Sequence, residues 1–330
     1  WLIKSENYQA LNTILPKFRG KVKTIYIDPP YNTGSDEFIY NDRFRHSTWL
    51  TMMENRLSLA REFMSKNSSF VSHIDDNEVE KFIFIVDTIF TSEDYERFIV
   101  SVIGNPRGRR GEKIAKTHDY LIFKLAKNLQ VGLKSLDTDK EKPFLKTGKE
   151  SERETGKNCF YPIYVDPNTN KIVGFGEVPS DDYHPESSVI EKEGILEIWP
   201  ITEDGKERKW RYSRDTVENI KDKLYVKDIR RKANAIYLKK EEENFKSVWD
   251  ESYHNVAEYG TNLLKHLSLP YEFIYPKSVY TAIDILKITS MEKNSLILDF
   301  FAGSGTTAHA VMKLNKEDGG KRKFILVEMA

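Results

Sequence analysis

Residues 295–328 alternate in kind: an apolar run at 295–300, a turn holding Gly303 and Gly305, a helical stretch from about 305 to 315, and a second apolar run at 323–328. Strand, glycine turn, helix and returning strand form a β–α–β unit, which implies a parallel sheet with helices on its faces. Near the other end the pattern recurs. Residues 22–27, Val-Lys-Thr-Ile-Tyr-Ile, read as a strand stopped by Asp28-Pro29-Pro30. Over 46–66 the apolar positions Trp49, Leu50, Met53, Leu57, Ala60 and Met64 recur at helical spacing. A strand at 69–74 follows, and Asp75 with Glu78 has the form of a capping box opening a helix through Phe90. Strands at 98–103 and 120–125 complete an α/β layer structure over 1–129.

From 130 to 252 the chain is charged and interrupted by Gly, Pro and Asn, with short strand-like pieces at 161–165 and 195–201. Trp199, Trp210, Tyr212, Tyr225 and Trp249 carry more aromatic surface than a disordered linker, the alternative, so an inserted α+β domain is expected. A short helix after Tyr275-Pro276-Lys277 then leads into the glycine unit. The expected division is 1–129, 130–252 and 253–330. Because the chain starts without methionine and stops directly after a strand, both ends are expected to be trimmed.

At 330 residues the chain can bury one large core or two ordinary ones. Its single cysteine, Cys159, excludes an intramolecular disulfide and a cysteine-based metal cluster, in keeping with a reducing cytoplasm. No apolar run approaches the roughly 20 residues of a bilayer span, and no secretion signal opens the chain. His73, His118 and His309 lack a metal-ligand spacing, so no metal is expected. Net charge is zero, with 51 basic and 51 acidic residues, so any nucleic-acid footprint must be local. The best candidate lies within 104–149, where 12 Lys or Arg stand against 5 Asp or Glu, led by Arg107, Arg109, Arg110, Lys113 and Lys116. A solvated basic loop is the alternative.

Phe300-Phe301-Ala302-Gly303-Ser304-Gly305-Thr306-Thr307 follows a strand and opens a helix, a context in which glycines let a ligand approach the backbone. The helix N-terminus suits a carboxylate or a phosphate, so S-adenosylmethionine and a dinucleotide both remain open, as does a tight turn without ligand. Glu328 ends the next strand, where an acidic residue usually grips ribose hydroxyls.

Asp28-Pro29-Pro30-Tyr31 is the sharper signal, with a chance occurrence on the order of one in a thousand for a chain of this length. The amino nitrogen of adenine is a poor nucleophile because its lone pair is delocalised into the ring. A carboxylate at Asp28 can accept one amino hydrogen and the Pro29 carbonyl the other, drawing the nitrogen towards sp3 so that its lone pair faces a methyl donor. Successive prolines fix φ and hold that carbonyl in place. Tyr31 offers a flat face for a base that must be flipped out of the duplex.

These motifs resemble those of amino-DNA methyltransferases of the β arrangement, in which Asp-Pro-Pro-Tyr precedes the target-recognition insert and Phe-x-Gly-x-Gly comes last. Within that group the chain is most similar to the modification (Mod) subunit of type III restriction-modification systems. The similarity is carried by residues 25–34, His46-Ser47-Thr48-Trp49-Leu50, Asn55-Arg56-Leu57, Ile74-Asp75-Asp76-Asn77-Glu78, Tyr275-Pro276-Lys277-Ser278 and residues 298–307. The resemblance implies a circularly permuted Rossmann-like S-adenosylmethionine-dependent methyltransferase fold. Its catalytic half would be 1–129, its target-recognition insert 130–252, and its cofactor half 253–330, truncated at the C-terminus. It implies a catalytic site of Asp28, Pro29, Pro30 and Tyr31. The cofactor would be held by Asp299, Phe301, Ala302, Gly303, Ser304, Gly305, Thr306 and Glu328, with Asn32, Thr33 and Lys277 as weaker additions. Implied partners are double-stranded DNA, a restriction (helicase-nuclease) subunit and, as one assembly, a homodimer; no membrane partner is implied. The chain departs from the family where Gly-Asp-Asn is usual, having Lys4-Ser5-Glu6-Asn7 instead.

Alternatives stay open at this level. Related motifs methylate the cytosine amino group, RNA bases or protein glutamine, although aspartate at position 28 favours adenine. A DNA-reading module without turnover, or a dehydrogenase, would also use parts of this pattern. Asp75 and Asp76 read as helix caps, with a site role left open by their place at a strand's end.

Overall fold

The computed structural model describes residues 1–32, 46–108, 113–267 and 276–329. It contains two compact units, one of Trp1–Lys134 with Asn244–Ala330, the other of Ser135–Glu243.

The larger unit runs β1 (Leu2–Lys4), α1 (Asn7–Phe18), β2 (Val22–Ile27), α2 (His46–Arg61), β3 (Met64–Ile74), α3 (Val79–Ile89), β4 (Tyr95–Val102) and β5 (Asp119–Ala126). After the insert come β6 (Val248–Trp249), α4 (Val279–Thr289), β7 (Leu296–Asp299), α5 (Thr306–Asp318) and β8 (Lys323–Glu328). The strands form one eight-stranded sheet in the order β1-β8-β7-β2-β3-β5-β4-β6. Neighbours are parallel except where β5 pairs with β3 and β4. Parallel strands are covered on both faces, and every residue of β2 is accordingly buried. Alternation sends Ile25 and Ile27 into one core with Trp49, Leu57 and Phe82 of α2 and α3, and Tyr26 into the other with Ile285 and Val311 of α4 and α5. This is a mixed, largely parallel Rossmann-like α/β fold. It is permuted, because the glycine turn comes late in the chain yet follows β7, the neighbour of β2 at the sheet's centre.

Three local expectations are corrected. The helix from His46 ends at Arg61, not residue 66, because Met64 pairs with Val22 and opens β3, while Val22 N–H donates to Phe63 O at 2.8 Å. Asp75 and Glu78 form no capping box: the Asp75 carboxylate accepts from Asn77 N and Nδ2 at 3.0 and 2.7 Å, and Glu78 itself is the residue before α3, without a side-chain cap. The expected insert of 130–252 shrinks to Ser135–Glu243, since Val248–Trp249 is a strand of the large sheet, parallel to β4. The short edge strand β1 was not expected from the sequence.

The insert carries more strand than helix. Its four-stranded sheet orders Val189–Lys192, Ile195–Ile198, Ile163–Asp166 and Lys171–Phe175, and a three-stranded sheet orders Leu224–Val226, Ile236–Glu243 and Lys134–Pro143. Phe144, Tyr161, Ile163, Trp210, Val217 and Ile236 fill a separate core, with the Trp210 indole donating to Tyr161 O at 2.7 Å. Among the described residues no helix is long and apolar enough to cross a membrane.

Candidate active site

Parallel strands deliver their carboxyl ends to one edge of the sheet, and the two signal motifs meet there. β2 and β7 are paired, Ile25 facing Leu298, so Asp28 and Asp299 lie at neighbouring strand ends. Asp28 Oδ1 accepts from the Tyr31 hydroxyl at 2.7 Å and lies 3.5 Å from Lys277 Nζ. The same ammonium donates to Asp119 Oδ2 at 3.2 Å and sits 4.5 Å from the centroid of the Tyr31 ring. The Asp28 side chain is 29 % accessible and that of Lys277 only 12 %. Burial raises the Asp28 carboxyl above its ordinary pKa; the Lys277 charge and the Tyr31 hydroxyl hold the rise back. Pro30 O is fixed by the buried Trp49 indole at 2.8 Å. Among the described residues none donates to Pro29 O.

Asp299, expected at the cofactor, is engaged with its own turn. It is buried, Oδ1 accepting from Phe301 N at 3.0 Å and Oδ2 from Thr307 Oγ1 at 2.5 Å, so the carboxylate shapes the turn from within. Burial pushes its pKa up to about 7, with Asp28 and Glu328 adding to the rise. Phe301 and Ala302 are also buried and pack into the cores, contributing backbone rather than side chain. Gly303 and Gly305 have φ of 50° and 79°, values that favour glycine, and a Cβ on Gly305 would point into open space. Glu328 Oε2 accepts from Gly303 N at 2.5 Å, joining the end of β8 to the turn. Ser304, Gly305 and Thr306, at the N-terminus of α5, line a cleft of about 320 Å³ together with Tyr259, Gly260, Leu263, Lys277 and Val279. An open glycine cradle, a helix N-terminus for a carboxylate and an acidic strand end for ribose fit a nucleoside cofactor of the S-adenosylmethionine kind.

The remaining expected residues fall elsewhere. Asn32, in a left-handed conformation (φ 58°), donates to Glu78 Oε1 at 2.6 Å, and His46 Nδ1 lies 2.5 Å from the same oxygen; this bond ties Asn32 to the start of α3. Lys277, expected at the cofactor, lines that cleft and sends its ammonium to the carboxylates of Asp28 and Asp119. Arg107, Lys113 and Lys116 are exposed on the connection between β4 and β5, where Lys116 pairs with Asp76 at 2.8 Å. Arg109 and Arg110, like Thr33 and Tyr275, lie outside the described residues.

Three contributors were not evident from the sequence. Asp119 is one, Trp49 as the anchor of Pro30 another. The third is Asn7: its amide donates to Phe300 O at 3.1 Å while Arg56 holds its oxygen, locking the start of α1 to the turn. Asp119 was hidden by strand direction. β5 runs antiparallel to β3, so its first residue rather than its last reaches the site.

A family model described as DNA methylase matches residues 22–330. The chain is 28 % identical over 384 aligned residues to the type III restriction-modification enzyme EcoPI Mod subunit of Escherichia phage P1, covering 99 % of this chain and 57 % of that protein. It is 30 % identical to the type II methyltransferase M.KpnI of Klebsiella pneumoniae, covering 97 % of this chain and 77 % of that one. The chain thus spans little more than half of the EcoPI subunit. A solved M1.HpyAVI-SAM complex aligns with 100 % of this chain and 92 % of its own at a TM-score of 0.45 and 11 % identity.

Proposed function

Since the chain belongs to the DNA methylase family, we propose that it transfers the methyl group of S-adenosylmethionine to the exocyclic amino group of an adenine flipped out of double-stranded DNA. The observation that carries this reading is the pairing of β2 with β7, which brings the Asp28 carboxylate and the glycine turn to adjacent strand ends. S-adenosylmethionine, when bound, supplies an electrophilic methyl on sulfur. Gly303, Gly305 and the N-terminus of α5 would hold its carboxylate, and Glu328, already ordering the turn, would hold its ribose. Asp299 acts through the turn it holds.

The extruded base stacks on Tyr31, recovering part of an unstacking cost of a few kcal/mol. Asp28 and the Pro29 carbonyl each accept one amino hydrogen, which localises the nitrogen lone pair. That lone pair would take the methyl carbon as the carbon–sulfur bond gives its electron pair to sulfur, and Asp28 would carry away the surplus amino proton. Trp49 keeps the Pro-Pro turn from relaxing during this step.

The insert Ser135–Glu243 chooses the sequence, and Arg107, Arg109, Arg110, Lys113 and Lys116 lie on phosphates. Support comes from the insert's separate core and from the excess of basic residues over 104–149. The Mod relatives belong to restriction-modification enzymes, which supports action in the cytoplasm beside a restriction subunit. Self-association into a homodimer belongs to the same reading, and light scattering of the isolated chain tests it. A transfer assay with methyl-tritiated cofactor offered DNA, RNA and protein tests the function. Label is expected in DNA and absent with Asp28→Ala; label in RNA or protein alone overturns the reading.

A further inference from the structure

Lys277 is a nearly buried ammonium set between two carboxylates, 3.5 Å from Asp28 and 3.2 Å from Asp119. Its backbone is held as firmly as its side chain. Residues Ala257–Asn262 form a π-helical turn, and a Cβ on Gly260 would lie 2.4 Å from Pro276 O and 3.1 Å from Lys277 O, so only glycine lets this turn press against the segment that carries the lysine. Such π-turns gather at functional sites. The groups facing the Asp28–Lys277 pair come from four strands and the segment after β2: Tyr26 on β2, Tyr31 just beyond it, His73 on β3, Asp119 at the start of β5 and Asp299 at the end of β7. None of these five is a cation, so among these described residues the positive charge beside Asp28 is that of Lys277. His73 is buried without a hydrogen-bond partner, and desolvation holds it well below its usual pKa, so it stays neutral.

We propose that Lys277 and Asp119 are positioning residues for methyl transfer: Lys277 keeps Asp28 ionised and aimed at the amino group, and Asp119 sets how much of the Lys277 charge Asp28 receives. The proposal rests on the methyltransferase reading for its consequence but not for its test. Without Lys277, Asp28 would face desolvation and a second carboxylate, with the Tyr31 hydroxyl in its favour, and a protonated Asp28 accepts amino hydrogens poorly. Without Asp119, the whole ammonium charge turns to Asp28. The two changes therefore act with opposite sign, as a general disturbance of packing would not.

The test titrates the full chain labelled with 13Cγ-aspartate, with the Asp28 resonance assigned from Asp28→Asn. Lys277→Met is expected to raise the pH at which Asp28 titrates by about 1 to 3 units, the usual effect of an adjacent opposite charge. Lys277→Arg is expected to return it towards the wild-type value, and Asp119→Asn to lower it. If Lys277→Met does not fold, Lys277→Arg and Asp119→Asn still carry the test. The acid limb of the methyl-transfer profile is expected to move with each titration. Equal titration of Asp28 in all variants, or shifts of the same sign for Lys277→Met and Asp119→Asn, overturns the proposal. Absence of methyl transfer by the wild-type chain instead overturns the proposed function, a result the titration does not depend on.

Discussion

Asp299 ends β7 and Asp28 follows β2 on the neighbouring strand, yet the two carboxylates are held in opposite ways. Asp299 takes its hydrogen bonds from the backbone N–H of Phe301 and the hydroxyl of Thr307, both within eight residues of it in the chain. Asp28 is held by the side chains of Tyr31 and Lys277 and keeps part of its surface open. Burial of an acid therefore does not by itself mark a reactive group. What marks it is the kind of partner: fixed groups that make it structural, or side chains that can yield to a ligand.

The contrast is most exposed to failure at Asp28. Asp28→Ala is expected to lower the rate of methyl transfer by about 10²- to 10⁴-fold, as loss of a positioned proton acceptor does, while melting temperature stays near that of the wild type. Asp299→Ala is expected to do the reverse in kind, since each buried group left unpaired, Phe301 N and Thr307 Oγ1, costs about 1–3 kcal/mol of stability, read by urea unfolding. A pH series sharpens this. With its carboxyl pushed up to about 7, folded Asp299 keeps a proton that the unfolded chain releases near its ordinary value of 3.8, so stability falls as pH rises through that interval. Asp299→Asn lacks that slope, and its melting temperature is expected to gain on the wild type up to about pH 7 and no further. Trp49→Phe tests the rigid side of the catalytic turn: leaving Pro30 O buried without a donor is expected to cost about 1–3 kcal/mol and to lower kcat more than it raises KM. The smallest effect is expected far from either carboxylate. Arg107→Ala with Lys113→Ala is expected to reduce the slope of log affinity for DNA against log salt by about 0.9 for each phosphate no longer neutralised, with kcat unchanged.

The readable part of this molecule is local. Val22–Ile27 and Lys323–Glu328 were legible as strands because consecutive β-branched and apolar residues leave no helical face, and the turns after β2 and β7 were legible because Pro and Gly restrict or free φ. Met64 misled because it fits the helical spacing of α2 and also the register of β3; pairing with Val22 decides between them, and that is a long-range fact. The site divides along the same line. Asp28, Tyr31 and the glycines announce themselves by spacing, whereas Asp119 and the partners of Lys277 depend on β5 running against its neighbours. Asp299 was found as a residue, but the sequence did not show that its hydrogen bonds point back into its own turn.

In this account the Asp28 carboxylate and the glycine turn act together on the amino group of adenine. Nucleoside mass spectrometry of DNA incubated with deuteromethyl-labelled cofactor and this chain measures that joint action most directly. Label in N6-methyladenine, lost with Asp28→Ala, is the result expected; label confined to cytosine, or undiminished in that variant, contradicts it.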